Sequence, residues 1–259
     1  MFSVNMFTKK RSARTVAVQR SGARRSRGRP RGTTEQGAAA KRALYKVAIK
    51  LITSRGYEAT TLRDIAKKAG VSVGLLYRYF PSKRAVVLAL YDELSAEYAA
   101  RAATMDPGPW RERFLFALKT SLGVLGRQRD TLAALLPVLV GDAYEGLFAP
   151  ATALSRQRVL AAFQGAVTGA SDAPDPDDGA ALGRVLYLVH LAVILWWLLD
   201  KSPEQRATRE LVATLERMLP VAGLALQLDP GRAFLRTADA LFRDGLIGYG
   251  DAASLGGAP

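Results

Sequence analysis

Residues 60–83 read TTLRDIAKKAGVSVGLLYRYFPSK, and they leave the chain few ways to fold locally. Leu62, Ile65, Ala66 and Ala69 recur at the spacing of one helical face. Thr61 stands where an N-cap is needed, and its oxygen can accept a backbone N–H left free in the first turn. Gly70 tolerates the left-handed conformation of a C-cap, so the first helix stops there. Ser72 is placed to cap a second helix over 73–80. Pro81 cannot continue that helix, because it has no N–H and clashes with the preceding turn. Ser82 and Lys83 open a third. Gly74, Tyr77, Arg78 and Tyr79 crowd a second helix of two turns, a composition unsuited to a plain core hairpin. Two short helices joined by a Gly-containing turn form a helix-turn-helix, whose second helix enters the DNA major groove.

Charge points to the same partner. Of the net +14, +9 sits in residues 1–36 and +5 on the rest. A basic arm on a mildly basic body suits an anionic polymer. The arm lacks apolar periodicity and is expected to be disordered in the free protein. Within it Arg27-Gly28-Arg29-Pro30-Arg31 has the form of a short minor-groove clamp, with Arg27, Arg29 and Arg31 as its contacts. A basic tail attracted only generally to phosphate is the other reading. There is no cysteine and one histidine, His190. Disulfides and thiolate or His-rich metal sites are thereby excluded, and no metal or cofactor is expected. With no phosphate loop either, the chain is not read as an enzyme.

The rest reads as helices with short breaks, and sustained period-2 alternation is absent, so the fold class is all-α. A helix is expected over 38–55 and a long one over 82–103. Asp106-Pro107-Gly108-Pro109 marks a boundary. Further helices are expected over 110–125, over 129–140 with a kink or end at Pro137, and over 144–167 broken near Pro150. Residues 169–179 read as a solvated acidic loop, since their Asp spacing lacks the Gly and distal Glu of a calcium loop. The most apolar stretch is 180–200. Its run from Val185 to Leu199 is interrupted only by His190, read as a satisfied core histidine. It is shorter than the ~20 residues that span a bilayer, so a buried helix and no membrane are expected. A following helix is expected from Pro203 to Leu219, stopped by Pro220. A last one is expected after a break at Asp229-Pro230-Gly231, with residues 249–259 fraying.

Thr61, Ile65, Ala66, Ala69-Gly70-Val71-Ser72, Gly74, Leu76-Tyr77, Tyr79-Phe80 and Lys83 follow, without a gap, the signature of the TetR family of bacterial repressors, which the chain resembles over 37–97. The resemblance implies an N-terminal three-helix DNA-binding domain (37–97) and a helical ligand-binding and dimerisation domain (98–248). It implies a cytoplasmic regulator that binds a palindromic operator on double-stranded DNA as a homodimer and is released by a small effector. It places Val73, Gly74, Leu75 and Tyr77 against base edges. Val73 and Leu75 would meet thymine methyls. Arg63 takes either guanine or a phosphate. Thr61, Ser72, Tyr79, Ser82 and Lys83 fall to phosphates. It implies a ligand cavity, for which Tyr98, Phe114, Leu118, Leu135, Phe148 and Phe163 are the candidate lining, with no cluster of charge, hence an apolar effector. It implies a twofold bundle of the last two long helices, with Leu191, Leu195, Leu211 and Leu215 at the interface. The alternative is a DNA-binding protein without a small-molecule inducer, controlled by a protein partner or acting in chromosome organisation.

Overall fold

A computed structural model describes residues 35–247. The basic arm, with Arg27, Arg29 and Arg31, and the 249–259 tail lie outside them. Among the described residues the fold is all-helical. Helices α1 (Glu35–Arg55), α2 (Leu62–Ala69) and α3 (Val73–Tyr79) make a small N-terminal head. Leu44, Ala48 and Ile52 of α1 share a core with Ile65 and Ala66 of α2, Leu76 of α3 and Phe80. Helix α4 (Lys83–Ala102) enters the larger domain, made of α5 (Trp110–Gly126), α6 (Arg129–Ala134), α7 (Leu136–Gly141), α8 (Ala153–Thr168), α9 (Pro176–Leu199), α10 (Arg206–Ala225) and α11 (Asp229–Phe242).

Helix α9 is the axis of that domain. By length and composition it could cross a membrane. In the fold it contacts α5, α6, α8, α10 and α11. It buries Leu182, Leu186, Tyr187, His190, Val193 and Trp197. It lies so close to α8 that a Cβ on Gly183 would fall 2.8 Å from Gln164 Cα. Two buried carboxylates tie α11 to it: Asp178 of α9 accepts from Arg236 Nε at 2.6 Å, and Asp239 of α11 from Arg184 of α9 at 2.9 Å. Removing Arg184 or Arg236 would strip a partner from a buried carboxylate, which is destabilising.

Several prolines behave differently from the sequence expectation. Pro176 and Pro230 were read within loop or break segments, yet each sits in the first turn of a helix, α9 and α11. A missing N–H costs nothing there, and the fixed φ already suits the helix. Pro137 likewise sits in the first turn of α7, and the helix expected over 129–140 is two short ones meeting at Leu135. Pro220 does not stop α10, which continues to Ala225. Its ring is on the exposed side, where water can serve the carbonyl that loses its donor. Residues 144–149 are not helical, and α8 begins only at Ala153. The acids of 169–179 are not simply solvated. Asp172 accepts from Trp110 N–H, Asp175 caps α9 through Asp178 N–H, and Asp178 is paired with Arg236.

Candidate nucleic-acid interface and effector cavity

The reading head is set by its caps. Thr61 accepts from Asp64 N–H at 3.2 Å, while Asp64 accepts from the Thr61 N–H and hydroxyl at 3.1 and 2.6 Å. The Asp64 carboxyl is held below the usual range, by the Thr61 hydroxyl and then its N–H. Gly70 closes α2 at φ 67°. Ser72 accepts from Leu75 N–H and Ser82 from Ala85 N–H, both at 3.1 Å, fixing the starts of α3 and α4. Such a cap is worth about 1 kcal/mol. On α3, Leu76 turns inward with Phe80, and Val73 packs partly against the same core. Gly74, Tyr77 and Arg78 are exposed at i, i+3 and i+4 and form the outward face. Thr61, Arg63 and Ser72 are exposed beside it.

The larger domain holds a partly open cavity of about 460 Å³ among α4, α5, α6, α7, α8 and α9. Its wall is overwhelmingly apolar, with Leu125, Leu132, Leu139, Phe148, Ile194 and Leu198 among its members. Its one cationic side chain, Arg156, donates to the carbonyls of Leu147 and Ala149, each at 3.2 Å. His190 also lines it. One ring nitrogen, Nε2, lies 2.8 Å from Ser121 Oγ, and burial pushes the imidazole pKa down to about 3.

Head and cavity are joined through residues 142–149. Glu145, 3% exposed, accepts from the Tyr57 hydroxyl and from Arg84 Nε at 2.9 Å. Two and three residues on, Leu147 and Phe148 belong to the cavity wall. Thr53 of α1 and Thr131 of α6 share a second hydrogen bond across the same junction, at 2.7 Å.

The sequence profile described as "Bacterial regulatory proteins, tetR family" matches residues 44–90. The HTH-type transcriptional repressor KstR of Rhodococcus jostii is 29% identical over 180 residues, covering 68% of this chain and 81% of that one. KstR of Mycobacterium tuberculosis is 31% identical over 175 residues, covering 65% of this chain and 75% of that one. The chain belongs to the TetR family. Its fold is also that of the transcriptional regulator FadR of Bacillus subtilis, solved with stearoyl-CoA. That likeness has a TM-score of 0.56 at 18% identity over 69% of this chain and 96% of the other. A TetR-family regulator from Streptomyces coelicolor gives 0.52 at 20% identity, over 84% and 95%. As a TetR-family member the protein is a DNA-binding transcriptional regulator, and the members it matches are regulators, not enzymes.

Within this TetR fold the expected site residues part company. Tyr98 and Phe148 line the cavity. Phe114, Leu118, Leu135 and Phe163 do not; all are fully buried core. Phe163 packs behind the wall, its ring 6.2 Å from those of Tyr98 and Tyr187 and 4.7 Å from His190. Leu191 and Leu195 border the cavity, and Leu195 is also 41% exposed. Leu211 and Leu215 are half-buried. Trp196 and Leu199 of α9 are exposed too, as are Val140, Tyr144 and Leu154, and further along Met218, Val221 and Leu224 of α10, Leu228, and Phe234 and Leu241 of α11. Lys83 is committed in part: its ammonium donates to Tyr57 O at 2.5 Å and lies 4.0 Å from the Tyr57 ring centre. His190 is not fully satisfied, because Nδ1 has no partner. Among the described residues no cluster could hold a metal. Arg78 was missed as a DNA-facing candidate, although its spacing from Gly74 already put it on the outward face.

Proposed function

We propose that the protein is a dimeric repressor that binds a palindromic operator and is released when an apolar effector enters the cavity. Gly74 lets the α3 backbone approach the bases, with Arg63 and Tyr77 as hydrogen-bonding readers and Val73 and Leu75 contributing at thymine methyls. Thr61, Ser72, Tyr79, Ser82, Lys83 and Arg78 hold phosphates. The Thr61 hydroxyl proton is already given to Asp64, so Ser72 is the better donor of the two caps. The basic arm adds phosphate or minor-groove contacts. The exposed apolar face of α10 and α11 meets its symmetry mate, setting the two heads at half-sites about 34–36 Å apart.

The observation that carries this reading is the shared wall: Leu147 and Phe148 line the cavity, while Glu145 in the same segment is bonded to the head. An effector that fills the cavity acts on that segment and thereby on head spacing. Stearoyl-CoA in the structurally similar FadR supports a largely apolar ligand. The test is to select operator DNA with the purified protein and then titrate the complex with apolar compounds, following fluorescence anisotropy. Release by at least one, with a coupling of about 1–3 kcal/mol, is expected. No release by any member of a chemically broad set would favour a regulator without an inducer.

A further inference from the structure

Among the described residues that line the cavity, all but four are buried or half-buried. The four are Val140 at the end of α7, Ala192 and Leu195 on the second half of α9, and Leu246 in the π-helical turn Arg243–Ile247 that follows α11. Val140 is 72% exposed and Leu246 46%. A side chain that both lines a cavity and faces bulk water stands at its mouth. Helix α11 delivers Leu246 to that place. The contacts Arg236–Asp178, Asp239–Arg184 and Phe242–Tyr187 advance together along α11 and α9. One more turn on each carries Leu246 toward Leu191 and Leu195, which also line the cavity.

The borders of this mouth are not held alike. Leu195 belongs to α9, which α8 and α11 grip along its length. The turn Arg243–Ile247 is anchored at Phe242, 2% exposed, whose ring lies 6.3 Å from Phe148 and 6.2 Å from Tyr187. Beyond Phe242 no residue of the turn is buried, and Ile247 packs only partly against the core. Arg243 pairs with Asp239 at 3.3 Å, which ties the turn to its own helix and not across the mouth. A π-helical turn is rare and occurs mostly at functional sites. Gly245 within it gains more freedom on unwinding than any other residue would. Segments with few buried apolar contacts open at the lowest free energy.

We propose that the effector enters and leaves between the end of α7 and the turn Arg243–Ile247, and that outward movement of this turn about Phe242 opens the way. This rests on the reading of the cavity as the effector site. Val140, Ala192, Leu195 and Leu246 are all apolar, so a mainly apolar molecule passes them without leaving a polar group unpaired. The turn sets how fast the effector exchanges, while the cavity wall sets how tightly it is held.

The chain has no cysteine, so two can be introduced as the only ones. Val140→Cys with Leu246→Cys, in the full-length protein, is either bridged with a bis-maleimide or capped with N-ethylmaleimide. The probe is N-phenyl-1-naphthylamine, a neutral apolar fluorophore that brightens on leaving water. Stopped-flow fluorescence gives its association and dissociation rates. The bridge should slow both rates at least about tenfold relative to the capped protein and leave their ratio little changed, because a route alters the barrier and not the bound state. Leu246→Ala should speed both. Leu125→Trp and Leu139→Trp each take up cavity volume, and whichever keeps the parental circular dichroism should lose probe binding. Unchanged rates in the bridged protein or in Leu246→Ala, or cysteines that no bis-maleimide spans, would put the route elsewhere and overturn the inference while leaving the cavity as the effector site. A change in only one of the two rates would make Val140 and Leu246 part of the binding surface, which overturns it too. A probe that does not bind, or that binds the folded cavity-filling variant as well as the parent, would defeat the effector reading itself and this inference with it.

Discussion

The Tyr57 hydroxyl lies 2.8 and 2.6 Å from the two carboxylate oxygens of Glu145, so one phenol spans both acceptors of a buried acid. Burial, then the bond to Glu145, pushes the Tyr57 ionisation up, which keeps the phenol protonated and donating. The same residue's backbone carbonyl receives Lys83 Nζ at the start of α4. Tyr57 therefore connects the 142–149 segment of the larger domain to the helix that supports the reading head.

Replacing Tyr57 with Phe keeps the ring under Lys83 and removes only the hydroxyl. Stability should fall by about 1.5–3 kcal/mol, the usual worth of a hydrogen bond to a charged group. Urea unfolding measures that change. Operator affinity without effector should change less than the effector's power to lower it, read by anisotropy with and without ligand. A variant with parental stability and full effector response would show that the Tyr57–Glu145 contact transmits nothing.

The reading head was legible because its instructions are local. Thr61, Gly70, Ser72 and Ser82 each act within four residues, and their neighbours alone decide whether they can cap. Pro176 and Pro230 misled because proline breaks a helix or begins one according to where the helix starts, which long-range packing decides, and Pro220 because an exposed helix interior can carry a proline. The cavity wall was legible only at Tyr98 and Phe148. A buried Phe at helical spacing looks the same whether it faces a void or, like Phe163, four other rings. Glu145 gave no sequence signal at all, since its partners are 88 and 61 residues away.

At Gly74 stability and recognition can be separated. No atom lies within 4 Å of a Cβ built there, so alanine fits the free protein. Gly74→Ala should leave the melting temperature unchanged or raise it, since alanine favours helix by up to about 1 kcal/mol. Operator affinity should nonetheless drop about tenfold, because the methyl stands between the backbone and the bases. Parental affinity would move the base contacts away from this face of α3.

On the surface, Phe234 and Leu241 are 75% and 70% exposed, one above the other on α11. Phe234→Glu with Leu241→Lys should therefore spare the fold of each chain. Sedimentation at micromolar concentration should show a dimer for the parent and a shift to monomer for the double variant, with weaker operator binding. A monomeric parent, or an unaffected dimer in the variant, would exclude this face as the subunit contact.

Burial gives His190 a pKa of about 3, against 6.5 for a free imidazole. The unfolded chain takes up this proton before the folded one does, so between these values stability rises with pH. The contribution is complete above about pH 6.5 and is lost progressively as pH falls toward 3. Between pH 7.5 and 5 the urea midpoint of the parent should decline more than that of His190→Gln. Parallel declines would assign the acid sensitivity to other groups.

Gly183 admits the backbone of Gln164 where any larger residue would hold it off, and two walls of the larger domain, α8 and α9, are clasped there without slack. Another part of the cavity wall is the short α6, α7 and the non-helical 144–149 segment, broken at Leu135 and again before Pro150. We expect a guest too large for the resting volume to push on that part of the wall, which is bonded to the head through Thr131 and Glu145. Substituting Gly183 would therefore not merely loosen a packing contact. It would let swelling dissipate between α8 and α9, leaving a protein that still takes up its ligand but no longer reports it to DNA.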